Sequence, residues 1–251
     1  DRPRALAALL AKHAKLTHPP GAKLGYSNLS YWLLEEVIQR VSGQDYADYV
    51  AAQVFARVGV ERRHATFDPS DAGAIATGHG RRFGLTNLAL SLLAPRRYWI
   101  EPARGWSRVA ALRPKGRGYG GLFATARALG AVVGDLLRSE PRLMSGGTRD
   151  AMFEPQRTRD GARIDMSLGW VVGRLDGHAY RGKPGGGLGF HGSVRVYPGL
   201  GVATAFLANG TEVSARPIDA HADRLDRELA TGRAAPPAPV NQDPQVSPRV
   251  T

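Results

Sequence analysis

Hydrophobic residues recur at helical spacing as far as Leu137 and alternate from Met166 onward, so helices come first in this chain and strands second. Leu34, Val37, Ile38 and Val41 form one core-facing helical stripe, and Leu129, Val132, Val133, Leu136 and Leu137 form another. Beyond Met166, Leu168 to Val172 reads as a strand and Leu175-Asp176-Gly177-His178 as a tight hairpin turn. Tyr180 to Lys183 begins the next strand, Pro184 to Gly189 interrupts it, and Phe190–Tyr197 and Val202–Asn209 complete a meander. A last amphipathic helix, about Ile218 to Leu229, can pack across that sheet through Ile218, Leu225 and Leu229. The expected class is α+β, a helical region plus an antiparallel sheet flanked by helices. Residues 1–150 make the helical and loop part, 151–233 the strands and final helix, and 234–251 a Pro- and Ala-rich tail expected to be disordered.

Composition narrows the function classes. No run approaches the ~18 apolar residues that a membrane helix needs. The formal charge of +12 invites a nucleic-acid partner, but arginine is scattered in ones and twos (Arg62-Arg63, Arg81-Arg82, Arg96-Arg97) with no dense basic block and no aromatic platform. No nucleic-acid partner is expected, and the basic surface suits anionic polymers or membrane surfaces. Absence of cysteine excludes a disulfide framework, a thiolate nucleophile and sulfur-ligated metals. Lysine occurs only at Lys12, Lys15, Lys23, Lys115 and Lys183, so each stands out against an arginine background.

Two stretches are chemically loaded. In the first, Pro19-Pro20-Gly21 predicts a turn, and Gly25-Tyr26-Ser27-Asn28 is a polar loop running into the helix that Ser42-Gly43 closes. A short loop anchored at both ends presents polar groups rigidly, which singles out Tyr26 and Asn28. The plain alternative is a half-buried aromatic followed by an N-cap. The second stretch is Arg181-Gly182-Lys183-Pro184-Gly185-Gly186-Gly187. Gly177 to Lys183 satisfies a phosphate-loop pattern, yet Pro184 replaces the hydroxyl that would bind Mg²⁺, and a strand follows where such a loop requires a helix. Its plain alternative is an edge-strand glycine bulge with a solvent lysine.

Between them, a Tyr46–Val58 helix precedes a polar region, Glu61 to Gly118, that reads as loops and short helices forming a lid or wall. His79 there reads as a surface loop histidine, since no second ligand lies at a metal spacing. Gly118-Tyr119-Gly120-Gly121-Leu122-Phe123-Ala124-Thr125 then opens a helix with Thr125 as N-cap.

The run G-Y-S-N-L-S-Y-x-L-L-x-x-V-I-x-x-V-S-G, the Gly-Gly-Leu helix and the Lys183-Pro184-Gly185 strand, in that order over Pro19 to about Asn209, resemble the serine β-lactamase and penicillin-binding-protein-like hydrolases, a family that includes esterases and D-aminopeptidases. The resemblance implies a β-lactamase/transpeptidase-like fold, of which 1–233 is a partial domain, and acyl-enzyme transfer on a β-lactam, a D-amino-acid peptide or a carboxylic ester. It implies Tyr26 as a catalytic base and Lys183 beside it, supporting its phenolate and orienting the acyl group. It assigns Asn28 to the substrate carbonyl side, Gly185 and Gly186 to close approach of the substrate, and the Gly186 N–H to the oxyanion hole. The substrate is a small molecule or a peptidoglycan-type ester or amide, with no cofactor and no metal expected. Arg127, Ala124 and Pro184 depart from the family pattern. Pro184 replaces a hydroxyl that binds a substrate carboxylate in many relatives, which favours a neutral ester or another amide.

The family's nucleophile and its lysine come from an S-x-x-K helix, and no serine in this sequence is followed three places later by lysine. Two readings remain open: the C-terminal portion of a serine hydrolase whose first strands and S-x-x-K helix lie outside the sequence, or a non-catalytic relative acting as a binding or scaffold protein or a truncated gene product. The first predicts an uncovered sheet edge and an uncovered helix face in this chain.

Overall fold

The computed structural model describes residues 2–68, 70, 75–81, 99–103, 106–109, 114–187, 189–211, 216–230 and 232. The expected tail from 234, the apolar stretch 85–93 and Pro95 to Arg97 lie outside them. Helix α1 (Arg2–Lys12) leads to a turn in which the Ala22 N–H donates to the Pro19 carbonyl (3.1 Å), with Gly21 at φ 78°, as Pro20-Gly21 dictates. Helix α2 (Asn28–Ser42) ends at Gly43 in the left-handed conformation, whose N–H caps the Gln39 carbonyl. Asp45 then caps α3 (Tyr46–Val50), which runs on through a π turn (Ala51–Phe55) and a 3₁₀ turn (Ala56–Val58) to Gly59.

The described part of 61–118 corrects the expectation of loops and short helices. Strand β1 (Ala65–Thr66) pairs with β5 (Phe123–Ala124), while β2 (Gly78–Arg81), β3 (Trp99–Ala103) and β4 (Trp106–Val109) form a small sheet completed by β10 (Gly210–Thr211), in the order β10-β2-β4-β3. His79 is therefore a strand residue, half-buried, and its N–H donates to the Asn209 carbonyl (2.9 Å). For β1 and β2 the reason lies in long-range pairing, which no local period announces.

Helix α4 (Ala126–Asp135) starts at Thr125, whose hydroxyl accepts from the Ala128 N–H (3.1 Å). Helix α5 (Gly146–Phe153) follows, then the main sheet: β6 (Val171–Leu175), β7 (His178–Gly187), β8 (Phe190–Tyr197) and β9 (Val202–Ala208), all antiparallel and in sequence order. Asp176 (φ 47°) and Gly177 (φ 84°) make the two-residue hairpin between β6 and β7. The glycine run does not interrupt β7; it continues the strand through Gly187, because β8 supplies partners for every one of its residues. Val133, Leu136, Phe153 and Val196 form the core on one face of this sheet. Helix α6 (Arg216–Ala230) covers the other face, where Ala222 and Asp226 are its buried residues.

Helix α2 also departs from its expected packing. The buried side chains are Trp32 and Glu35, whereas Leu34 (56% exposed), Val37 (54%) and Val41 (85%) face solvent. Glu35 tolerates burial because its carboxylate accepts from the Gly118 N–H at 2.9 Å.

Candidate functional site

The loop before α2 and the far half of β7 meet at one place. Tyr26 lies on the loop, 69% exposed. Ser27, extended at φ −145°, is the N-cap residue of α2 without a side-chain cap bond, and Asn28, the N-cap of the plain alternative, is instead the first helical residue and is exposed. The Gly21 turn behind this loop is tied down by the Arg159 N–H, which donates to the Gly21 carbonyl (2.7 Å).

Lys183 reaches this loop from β7. Its ammonium lies 5.3 Å from the Tyr26 ring centroid and 4.7 Å from that of Tyr31, and Nζ donates to the Tyr31 hydroxyl at 2.9 Å. The two rings are 6.0 Å apart at 45°. A cation between two aromatic faces is favourable both through the ring quadrupoles and through the charge-assisted hydrogen bond.

Beyond Gly182, β7 has a strand partner on one side only. It pairs with β6 from His178 to Gly182 and with β8 from Arg181 to Gly187, so among the described residues Lys183 to Gly187 have no strand on their other edge. Gly185 is on the Lys183 face, two residues on, and a Cβ there would meet nothing within 4 Å. A Cβ on Gly186 would come 3.3 Å from His191 Nδ1 on the opposite face, and His191 Nε2 in turn lies 3.1 Å from Asp219 on α6. The arrangement can therefore present a fixed cation, a phenol and a strip of bare backbone to one extended ligand.

Sequence reasoning singled out Tyr26, Asn28, Lys183, Gly185 and Gly186 but passed over Tyr31, Glu35 and His191. Tyr31 carried a signal: three residues after Asn28, it falls one helical turn further on and so faces the same way. Glu35, four residues after Tyr31 inside an apolar run, carried another.

The sequence matches the Beta-lactamase family over residues 3–228, and the chain belongs to that family. Solved structures of low sequence identity share its fold. D-amino acid amidase from Ochrobactrum anthropi SV3, complexed with D-phenylalanine, superposes with a TM-score of 0.71 at 16% identity, covering 92% of this chain and 65% of that one. A penicillin binding protein from Bacillus halodurans gives 0.61 at 21% identity (88% and 62% covered), and simvastatin synthase (LovD) from Aspergillus terreus gives 0.60 at 17% (92% and 64%). The chain thus spans less than two thirds of the length of these structures. No curated protein matches the sequence. Among the described residues no helix is long and apolar enough to cross a membrane.

Proposed function

We propose that this chain carries the base and substrate-edge half of a serine hydrolase that works by acyl-enzyme transfer on an ester or amide. An upstream S-x-x-K segment supplies the nucleophile in this reading. The serine oxygen attacks the substrate carbonyl carbon and its proton passes to Tyr26. The carbonyl C–O or C–N bond then breaks, the leaving group takes up a proton, and water repeats the addition to release the acid. Asn28 holds the substrate's carbonyl side, Lys183 supports negative charge beside Tyr26, and the Gly186 N–H faces the developing oxyanion.

The observation that carries this reading is the position of the Lys183 ammonium against Tyr26, at the half of β7 that lacks a second strand. Pro184 supports the choice of Gly186. A proline is tolerated in a sheet where its missing N–H would point off the ladder. Amide directions alternate along a strand, so residue 186 shares the direction of 184 and its N–H is aimed at the free edge. With no N–H and no hydroxyl at 184, that edge offers a substrate carboxylate little, which favours neutral esters or simple amides. The D-amino acid amidase and the penicillin binding protein among the similar structures agree with an amide or peptide-like substrate class.

The test uses the natural gene product of this chain, assayed with a nitrophenyl ester and a D-amino acid amide. Tyr26→Phe is expected to lower acyl transfer by roughly 10²–10⁴-fold. Full activity in that variant overturns the assignment. The alternative, a non-catalytic relative acting as a binding or scaffold protein, predicts a natural product without turnover on either substrate.

A further inference from the structure

Tyr31 is the residue the proposed chemistry does not use, yet it makes the hydrogen bond to Lys183. We infer that Tyr31 is the positioning residue for the Lys183 ammonium; the inference rests on the reading above for its functional meaning, though not for its test. Three observations converge on it. Lys183 Nζ donates to the Tyr31 hydroxyl at 2.9 Å, while Tyr26 meets the same ammonium with its ring. Tyr31 sits on the first turn of a helix, half-buried, whereas Tyr26 is on an exposed loop, so Tyr31 is the more rigid of the two anchors.

The third observation is what holds Tyr31. Gly118 lies so close that any side chain there would run into the Tyr31 carbonyl, and its N–H is bonded by Glu35, one helical turn beyond Tyr31. The Gly118 loop thus clasps α2 at two successive turns, fixing the helix where the Tyr31 ring departs. Lysine has four rotatable bonds and loses much freedom when held in one place. An acceptor fixed on the helix keeps the charge against both rings, where a forming phenolate would meet it without reorganisation. The division of labour is then clear: Tyr26 exchanges the proton and Tyr31 keeps the cation at its post.

Trace acetylation read by mass spectrometry tests this on the chain itself, with Lys12, Lys15, Lys23 and Lys115 as internal references. In Tyr31→Phe the ring stays and the acceptor goes, so Lys183 labelling is expected to rise about fivefold relative to the other four, the ratio that one hydrogen bond carries. Tyr26→Phe, which deletes no bond to Lys183, is expected to leave that ratio within twofold, because only the ring contact is involved. An unchanged ratio in Tyr31→Phe overturns the inference, and so does a common rise of all five lysines, which would make Tyr31 a residue of the fold and not of Lys183. Turnover in the natural product separates this from failure of the hydrolase reading: Tyr31→Phe is expected to lower kcat by about tenfold with little change in KM, the loss of one charge-assisted bond, whereas the hydrolase reading falls only if Tyr26→Phe stays fully active.

Discussion

Arg195 on β8 and Asp226 on α6 form a buried ion pair, 2.9 Å between Nη1 and Oδ2. The same guanidinium reaches Asp223 at 2.6 Å, and the Tyr197 hydroxyl donates to Asp226 at 2.6 Å. Asp219, Asp223 and Asp226 fall on one face of α6, so the helix is fastened to the sheet by charge. Asp226→Ala leaves Arg195 buried with half its partners and is expected to cost about 3–5 kcal/mol, read from urea unfolding. A loss under about 1 kcal/mol would mean that the pair behaves as a surface pair.

Alkaline pH acts on the same network. Burial pushes the Tyr197 hydroxyl above the usual tyrosine range, helped by the negative charge of Asp226; burial does the same to Tyr46, with Glu35 adding to it. A folded state that holds these protons more tightly has its full stability below about pH 10, the unfolded tyrosine value, and loses it as pH rises further. Unfolding free energy is expected to fall above that pH by at most about 1.4 kcal/mol per pH unit for each tyrosine, seen as a lower melting temperature. Tyr197→Phe should flatten the fall; an identical alkaline limb would acquit Tyr197.

Two glycines predict opposite outcomes for one added methyl group. Gly185→Ala enters open space, so stability is expected to hold within about 0.5 kcal/mol while substrate binding in the natural product weakens by about tenfold or more. Gly118→Ala meets the Tyr31 backbone and is expected to cost about 1–3 kcal/mol, seen as a lower melting temperature. Equal melting of the two variants would contradict the packing described.

The outward stripe of α2 sets a fourth expectation. Leu34, Val37 and Val41 expose apolar surface on consecutive turns, so this chain should bind a hydrophobic dye and self-associate. Val37→Lys with Val41→Lys is expected to abolish most dye binding and leave unfolding free energy within about 0.5 kcal/mol. Strong destabilisation would show that these side chains are covered.

Much of this was legible locally. Pro20-Gly21, Gly43, Thr125 and Asp176-Gly177 announced their turns and caps, because φ preference and short-range hydrogen bonds are properties of a few adjacent residues. Tyr26 and Lys183 were legible as a pair only through family resemblance, being 157 positions apart in the chain (183 minus 26). Strand β2 was not legible, since its partners come from distant positions such as Arg108 and Gly210, whereas β3 and β4 pair with each other as sequence neighbours and were simply overlooked. The buried face of α2 was misread for a related reason. Periodicity identifies an apolar stripe but not what meets it, and here a glycine loop chose the side with Trp32 and Glu35.

Asn209 closes β9 and also touches the small sheet twice, its side-chain amide donating to the Thr77 carbonyl (3.0 Å) and its own carbonyl accepting from the His79 N–H. Gly189, in the turn that follows the bare edge of β7, accepts from the same His79 N–H (3.2 Å), and its Cα side is packed against Gly78 with no space for a methyl group. Gly189 and Asn209 are thus both pinned to His79 of the neighbouring sheet through one shared N–H. On the proposed reading, a substrate longer than this edge would have to displace both sheets together, so its length would be limited by architecture and not by adaptation.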